Sequence, residues 1–159
     1  GFSINTLEEN FKSDMDKAVS IARRLRAMEA LCDAGVRTTC FIAPIFPGIT
    51  DVEAIVGRVK EQCNLIWLEN LNLRGSYRAT ILDYIQRKWP ALASLYKEIY
   101  SHGSRLYWEM LDGQLREYAQ QNGLAYVRND DTMQIPFDAP PVLVNYFYHE
   151  EVRKPRKNA

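Results

Sequence analysis

The sequence is poor in the residues that build metal and redox sites. It contains three cysteines and two histidines among 159 residues. Cys32, Cys40 and Cys63 form neither a C-x-x-C pair nor the even set that a disulfide framework needs. A free cysteine in an apolar segment behaves as a small hydrophobe, and unpaired thiols are typical of a reducing compartment. We therefore expect a cytoplasmic protein.

Net charge and long apolar runs are lacking as well. The 20 basic and 20 acidic side chains cancel, so nothing draws the whole molecule toward nucleic acid or an anionic surface. The longest nearly unbroken apolar run, Cys40–Phe46, is far shorter than the ~20 residues of a membrane-spanning helix. The basic segment 151–159 is expected to be a disordered tail. Nucleic acid thus has no support as a partner, and no membrane partner is expected.

Common catalytic motifs are missing too. The sequence has no G-x-G-x-x-G, P-loop, G-x-S-x-G or H-E-x-x-H pattern. A complete eight-stranded (β/α) barrel needs about 250 residues, so 159 residues exclude a whole one. With 47% hydrophobic and 25% charged residues, the composition is that of an ordinary folded domain.

The first half of the chain alternates between short apolar strands and amphipathic helices. The spacing predicts strands over 2–6, 36–42 and 65–71, with helices over 20–34 and 50–62. Strand–helix–strand units at intervals of roughly 30 residues indicate a parallel sheet in an α/β fold. Right-handed crossovers would place both helices on one face. Periodicity leaves open whether the sheet is an arc of a barrel or an open sheet.

The remaining elements are predicted from their ends and breaks. Thr50 is expected to cap the second helix, with Glu53 completing a capping box, after a loop over 43–49 that contains two prolines and a glycine. The second half is predicted to be mostly helical, and its predicted elements are helices over 77–88, 92–101 and 104–122 and strands over 125–127 and 142–148.

Polar side chains fall at the carboxyl ends of the predicted strands, where ligands gather in parallel α/β sheets. Ser3 and Asn5 share one face of the first strand, by the two-residue alternation of strands. Asn70 and Asn72 share a face at the end of the third strand, beside Glu69. Burying an unsatisfied amide costs about 1–3 kcal/mol. A ligand-facing role for these amides therefore stands beside ordinary hydrogen bonding to loop backbone.

Two arginines begin the first long helix. On the residues alone, Arg23 and Arg24 are best explained as a solvated face or as ion-pair partners of Asp16 or Glu29. The alternative is a carboxylate clamp, which arginine suits because its guanidinium presents a planar fork of donors.

Three segments, in this order and at barrel spacing, resemble the middle of a radical S-adenosylmethionine protein. They are Phe2–Leu7, Ser20–Leu25 with Leu31, Ala34 and Gly35 behind it, and Ala43–Asp51. The chain is most similar to the branch grouped with spore photoproduct lyase, often labelled "DNA repair photolyase". Motifs of the superfamily cover residues 1 to about 75. Beyond them, 71–75 and 137–148 resemble a single bacterial subgroup.

The resemblance implies a fold and a chemistry. The family has a TIM-like partial (β/α)6 barrel, in which a [4Fe–4S] cluster reduces S-adenosylmethionine to a 5′-deoxyadenosyl radical. It implies that residues 1–75 are the C-terminal half of such a barrel and 76–150 a helical extension whose terminal strand packs on the same unit. The resemblance implies these cofactor-binding residues: Ser3, Asn5, Arg23, Ile45 and Gly48. It implies these substrate-facing residues: Glu69, Asn70 and Asn72.

The sequence departs from the family at the cluster. The family's C-x-x-x-C-x-x-C loop is absent from these 159 residues, as is the glycine-rich motif of the second barrel strand. Both belong to the N-terminal half of such a barrel, and this chain opens directly on an apolar run. We therefore expect a fragment that neither holds S-adenosylmethionine and the cluster nor catalyses by itself, with no catalytic or metal-binding residue of its own.

Two other functions stay open. One is a non-catalytic α/β binding or interaction domain. The other is a metal-independent α/β enzyme built around Glu69, Asn70, Asn72 and Asp130. A half barrel exposes a strand edge and an apolar inner wall that the missing N-terminal half would cover. We expect the isolated fragment to hide this edge by forming a homodimer, by strand exchange, or under its own segment 142–148.

Overall fold

The computed structural model describes residues 1–128 and 141–148. At its centre is a parallel five-stranded sheet in the order β1-β2-β3-β5-β4. The strands are β1 (Phe2–Ser3), β2 (Thr39–Ile45), β3 (Leu65–Asn70), β4 (Ala125–Arg128) and β5 (Val142–Asn145). This sheet confirms the predicted α/β class with parallel strands. Asp130 and the basic tail lie outside the described residues.

Six α-helices connect the strands within the described ranges. They are α1 (Glu9–Met15), α2 (Ile21–Asp33), α3 (Val52–Val59), α4 (Tyr77–Lys88), α5 (Ala93–Tyr100) and α6 (Leu106–Gln121), with a 3-10 turn at Pro90–Leu92. The helix α1 was not predicted, because its seven residues are too few to show a stripe. Among the residues described, none of these helices is at once long enough and apolar enough to cross a bilayer.

One face of the sheet carries the main core. The helices α2, α3 and α6 contribute Met28, Val56 and Leu115, each fully buried. Opposite them, alternate strand residues such as Cys40 and Ile66 point into the same cluster, as the two-residue period of a strand requires. The helices α2 and α3 therefore lie on the same side, as right-handed crossovers predict.

The second strand begins and ends three residues later than predicted. Its register against β3 shifts between Ile42 and Ile45, and Pro44 lies within that irregular stretch. A proline has no N–H to donate and is tolerated in a sheet at such a bulge. The prolines that predicted a loop from Ala43 onward therefore sit partly inside the strand.

The start of α3 also differs from its prediction. Asp51 caps this helix, its Oδ1 accepting the Ala54 N–H at 3.0 Å. The hydroxyl of Thr50 is used elsewhere: it accepts the Phe46 N–H and donates to the Asn5 carbonyl, both at 2.9 Å. The predicted capping box is wrong, because Thr50 instead ties the loop after β2 to the segment after β1.

A second apolar cluster lies beyond the carboxyl ends of the strands. It joins α1, α4 and α5 to the loops after β2 and β3, and its buried members are Phe11, Phe46, Leu71, Leu73, Ile85 and Tyr96. The rings of Phe11 and Phe46 meet edge to face with centroids 5.0 Å apart. These helices form a wall over the sheet end at which polar side chains collect.

The other face of the sheet carries a row of aromatic rings. Phe41 and Trp67 are paired across β2 and β3, and their rings stack at 6.1 Å. Trp67 also meets the edge of Tyr146 at 4.9 Å. The side chain of Phe41 is 40% exposed, unlike the fully buried strand residues on the helix-covered face.

Candidate ligand-binding cavity

A cavity of about 610 Å³ opens at the carboxyl ends of β1, β2 and β3. It is lined by five of the eight residues predicted from the sequence: Ser3, Asn5, Glu69, Asn70 and Asn72. The strands position them, because parallel strands that are neighbours in a sheet end at the same edge. The two pairs of polar residues that the alternation placed on strand faces thus meet at one concave surface.

The first pair leaves hydrogen-bonding capacity for a ligand. The Ser3 hydroxyl donates to the Ala43 carbonyl at 3.1 Å, which keeps the oxygen's lone pairs available. The Asn5 backbone carbonyl is fixed by Thr50. Its side-chain amide makes no hydrogen bond to any residue of the described part of the chain.

The two residues of the second pair, Asn70 and Asn72, differ in how tightly their side chains are held. Asn70 is nearly buried, at 8% exposure, and its Oδ1 accepts the Tyr148 N–H at 2.9 Å. Asn72 is exposed, its Oδ1 accepts from Arg74 Nε at 3.1 Å, and its carbonyl accepts from the Tyr77 hydroxyl. Asn70 is therefore held rigidly at the cavity wall, whereas Asn72 belongs to a hydrogen-bonded rim.

Two arginines line the cavity, Arg74 and, from α2, Arg24. The Arg24 guanidinium is held by two contacts. Its Nη1 donates to the Ser3 carbonyl at 2.8 Å, and its Nη2 lies 3.4 Å from Asp16 Oδ1. Arg23, which the resemblance favoured, is exposed and does not line the cavity. Adjacent helical residues point about 100° apart, because a turn holds 3.6 residues. The geometry thus favours Arg24 over Arg23 as a cation of this site.

A small charge cluster stands beside Arg24 at the cavity rim. Asp16 Oδ1 accepts the Ala18 N–H at 2.7 Å and lies 3.3 Å from the Nζ of the nearly buried Lys12. Burial pushes the pKa of Asp16 up, but the Ala18 N–H and the two cations outweigh it, so its pKa is lowered. One carboxylate thus serves two cations, Lys12 and Arg24.

Ile45 and Gly48, the residues that the resemblance assigned to adenine, do not line this cavity. Ile45 is fully buried in the main core. The Gly48 N–H donates to the Tyr107 hydroxyl at 3.0 Å. Their predicted role has no support from the cavity, although Phe46, which lies between them in the sequence, does line it.

Sequence reasoning missed the part of the lining that comes from helices. Met15 and Asp16 reach the cavity from the end of α1, and Tyr77 and Ile81 reach it from the start of α4. The signal for Tyr77 and Ile81 was their i, i+4 spacing, which puts them on one helix face. Nothing in the sequence around α1 pointed to the sheet end that this helix covers.

The described residues contain no group of three or more His, Cys, Asp or Glu side chains able to hold a metal ion. Cys32 and Cys63 instead line a separate pocket of about 200 Å³ before the amino ends of β2 and β3. Cys40 is buried in the core. An iron–sulfur cluster, which needs several thiolates converging on one site, does not fit the side chains described.

Comparison with known proteins finds relatives of unassigned activity. An uncharacterized protein of Methanocaldococcus jannaschii is 34% identical over 91 residues, which are 57% of this chain and 34% of that protein. An uncharacterized protein of Mycobacterium tuberculosis is 31% identical over 96 residues, which are 55% of this chain and 28% of that protein. The chain spans about a third of the length of the curated relatives it matches. No family model and no solved structure matches it.

Proposed function

We propose that the chain is the C-terminal part of a longer radical S-adenosylmethionine protein of the spore photoproduct lyase-like branch. The observation that carries the proposal is the meeting of Ser3, Asn5, Asn70 and Asn72 in one cavity. These four residues come from two segments that are more than 60 positions apart in the sequence. They meet where parallel α/β folds bind ligands.

The strand order supports an arc of a TIM-like barrel. β1, β2 and β3 are neighbours in chain order, with α2 and α3 on the outer face. In the proposed barrel, the aromatic row around Phe41 and Trp67 belongs to the inner wall. The missing N-terminal half would cover that wall. The greater length of the relatives is consistent with such a half.

The cavity suits the organic cofactor better than the metal cluster. Its volume of about 610 Å³ is in the range of small-molecule sites, about 300–1,000 Å³. Arg24 would hold the methionine carboxylate, and Ser3 and Asn5 would contact the ribose or the methionine amino group. Glu69, Asn70 and Asn72 would face the substrate. S-Adenosylmethionine, when reduced, supplies a radical that abstracts hydrogen; the cluster must be held by chain outside these residues.

A second candidate is a non-catalytic α/β binding or interaction domain. The observation that favours it is the lack of a metal-binding group among the described residues. Such a domain would use the same cavity for a ligand without radical chemistry. The two candidates differ in what the gene encodes before residue 1.

The first test is the reading frame upstream of residue 1, followed by reconstitution of the complete product. We expect a C-x-x-x-C-x-x-C motif within the preceding ~150 residues, roughly the rest of such a barrel. The reconstituted product should contain about four irons and four sulfides and bind S-adenosylmethionine. A product with no cluster, or one that holds the cluster but does not bind the cofactor, contradicts the proposal.

A pair of neighbouring substitutions tests the cavity itself. In the complete product, Arg24→Ala should weaken cofactor binding at least tenfold, about 1.4 kcal/mol, because it removes a charge-assisted hydrogen bond. Arg23→Ala is the matched control, one position along the helix and exposed, and should leave affinity unchanged. Equal effects of the two substitutions would argue against Arg24 as the carboxylate partner.

A further inference from the structure

The turn that follows β5 is fastened to the end of β3. Its three consecutive backbone N–H groups all have acceptors. Tyr146 donates to the Leu68 carbonyl at 2.8 Å, Phe147 to Asn145 Oδ1 at 2.8 Å, and Tyr148 to Asn70 Oδ1 at 2.9 Å. Two asparagine side chains at neighbouring strand ends therefore hold one turn.

Tyr148 is held in a backbone conformation that a tyrosine rarely adopts. Its φ is +56°, and it is the sole residue other than glycine with positive φ among those described. The left-handed region costs a residue with a Cβ roughly 1–2 kcal/mol. The Arg105 guanidinium lies 4.2 Å from the centroid of the Tyr148 ring. Strained residues of this kind persist where the surrounding contacts over-determine them, and they cluster at functional sites.

The bond from Tyr148 decides which way the Asn70 amide points. A backbone N–H can only donate, so it requires the oxygen of the amide and turns the nitrogen away. The nitrogen, Nδ2, has no hydrogen-bond acceptor within the described ranges, although Asn70 is nearly buried. Nδ2 is not one of the fully buried side-chain atoms that lack a partner, so it keeps contact with the open cavity and is available to an acceptor there.

We propose that the turn 146–148 is a positioning element that makes the cavity a donor site. Tyr148 acts as a positioning residue: it locks Asn70 with its two Nδ2 hydrogens toward the cavity. The cavity then selects a ligand that presents a hydrogen-bond acceptor beside the end of β3, such as a carbonyl oxygen, a carboxylate oxygen or a ring nitrogen. This inference rests on the proposed function of the cavity as a ligand site.

Three variants distinguish the lock, which is the hydrogen bond from the Tyr148 N–H to Asn70, from the donor, which is the Asn70 Nδ2 group that faces the cavity. Asn70→Asp keeps an oxygen for the Tyr148 N–H but replaces the cavity-facing donor with an acceptor. Tyr148→Pro removes the N–H and cannot adopt positive φ. Tyr148→Gly is the control, because glycine keeps the N–H and adopts positive φ without strain.

The lock is tested without any ligand, on this chain, by nuclear magnetic resonance. The Asn70 side-chain amide signals are identified by their loss in Asn70→Asp. We expect a high order parameter for the Asn70 side-chain amide in the parent chain and in Tyr148→Gly, because the bond to Oδ1 fixes its orientation. The order parameter should fall below about 0.6 in Tyr148→Pro. Equal order parameters in all three would overturn the positioning role.

The donor is tested with S-adenosylmethionine on the complete, reconstituted product. Binding should weaken at least tenfold in Asn70→Asp and Tyr148→Pro and change less than threefold in Tyr148→Gly. If the parent binds and Asn70→Asp binds equally well, the donor inference is wrong while the proposed function survives. If the parent does not bind at all, the proposed function is wrong, and the claim on ligand choice falls with it.

Discussion

Asp112 is the residue to which the ends of β4 and β5 are attached. Its Oδ1 accepts from the Tyr126 hydroxyl at 2.7 Å and from Asn145 Nδ2 at 2.6 Å. Its Oδ2 lies 3.0 Å from Arg128 Nη2 and 3.4 Å from Arg116 Nη2. One side chain of α6 thus satisfies donors from two strands, and without it the nearly buried Asn145 would keep only the Tyr126 hydroxyl as an acceptor for its Nδ2, at 3.0 Å.

We predict that Asp112→Asn lowers the free energy of unfolding by about 1–3 kcal/mol, because the amide keeps one acceptor oxygen but loses the charge and turns an NH2 group toward Arg128. Burial raises the pKa of Asp112, but the hydrogen bonds and Arg128 outweigh it and lower the pKa in the folded state. The carboxylate therefore stabilises the fold above its unfolded pKa of about 3.9, and this stabilisation is lost as the pH falls below that value. Urea unfolding of both proteins at several pH values measures this.

The difference in the free energy of unfolding between the parent and Asp112→Asn should be largest at neutral pH and should decrease below about pH 4. A gap independent of pH would contradict the role of the ionised carboxylate. Asp83→Asn is the control, since Asp83 pairs with Arg87 on the exposed surface of α4 and such pairs contribute about 0–1 kcal/mol.

The hydroxyl of Thr50 gives a second prediction about a single residue. Thr50→Val keeps the shape but removes both hydrogen bonds, leaving the buried Phe46 N–H without its acceptor. It should cost about 1–3 kcal/mol in thermal or chemical unfolding. Thr50→Ser keeps the hydroxyl and loses one methyl group, worth about 0.8 kcal/mol. A Val variant no less stable than the Ser variant would show that the bridge contributes little.

Individual residues also show how much of the cavity could be predicted from the sequence. The predicted strand ends were enough to bring Ser3 and Asn70 to one cavity, because neighbouring parallel strands end at the same edge; Asn5 lies two residues beyond β1. The pattern could not separate Arg23 from Arg24, since both lie between the buried Ile21 and Leu25 of α2 and only packing decides which one turns inward. The Tyr148 contact to Asn70 joins residues 78 positions apart, and local patterns carry no information on such a pair.

The loop after β2 is the element on which the cavity wall most depends. Gly48 has a φ of +72°, and a Cβ built on it would lie 2.8 Å from a methyl carbon of Leu92. The same loop carries Phe46 into the cavity lining. A side chain at this glycine would require the end of the Leu92 side chain to move.

Gly48→Ala should therefore be destabilising for two reasons, the backbone conformation and the contact with Leu92. Gly35→Ala is the matched control: Gly35 also has a φ of +72°, but no atom lies within 4 Å of its added Cβ. We expect Gly48→Ala to cost about 0.5–1.5 kcal/mol more than Gly35→Ala, which is the cost of displacing the Leu92 side chain from its rotamer. Chemical unfolding measures both, and adding Leu92→Ala to each variant should remove the difference.

Elements with a strong internal period were predicted well, and the others were not. The bounds of α4 matched their prediction, and α2, capped by Ser20, came within a residue at each end. The exception was α1, whose Phe11 is buried by contacts with α4 and the loop after β2. The order of β5 before β4 in the sheet is equally invisible in a local pattern, because it depends on which strands finally pair.

The reactivity of the three cysteine thiols shows whether the whole molecule unfolds in one step. Cys40 and Cys63 are buried, and burial raises the pKa of Cys63 to about 12 and that of Cys40 further. Since the thiolate is the reactive form, iodoacetamide at pH 8 should modify only the half-buried Cys32 in the folded protein. Mass spectrometry should then show one adduct, followed directly by three as the protein unfolds. A species with two adducts under native conditions would mean that part of the core opens alone.

The homodimer remains a prediction for the whole molecule, and it would form through the exposed edge of the sheet. The edge strand β1 has two residues, and the aromatic row beside it includes the 40% exposed Phe41. We expect sedimentation of the isolated chain to show association that rises with concentration and that Phe41→Glu weakens. Leu106→Glu, at a 61% exposed position on α6, is the control and should leave association unchanged. A parent chain that stays monomeric at every concentration would contradict the prediction.

The insertion of β5 between β3 and β4 bears on how the protein is made. Strand Ala125–Arg128 pairs with Val142–Asn145 and not with Leu65–Asn70. During synthesis, Ala125–Arg128 therefore leaves the ribosome before the neighbour it needs exists. The first three strands can pair earlier, because β1, β2 and β3 are neighbours in the sheet and are made in that order. The side chains of Asp112 and Asn70 are therefore oriented late, because the residues that hydrogen-bond to them are translated after them.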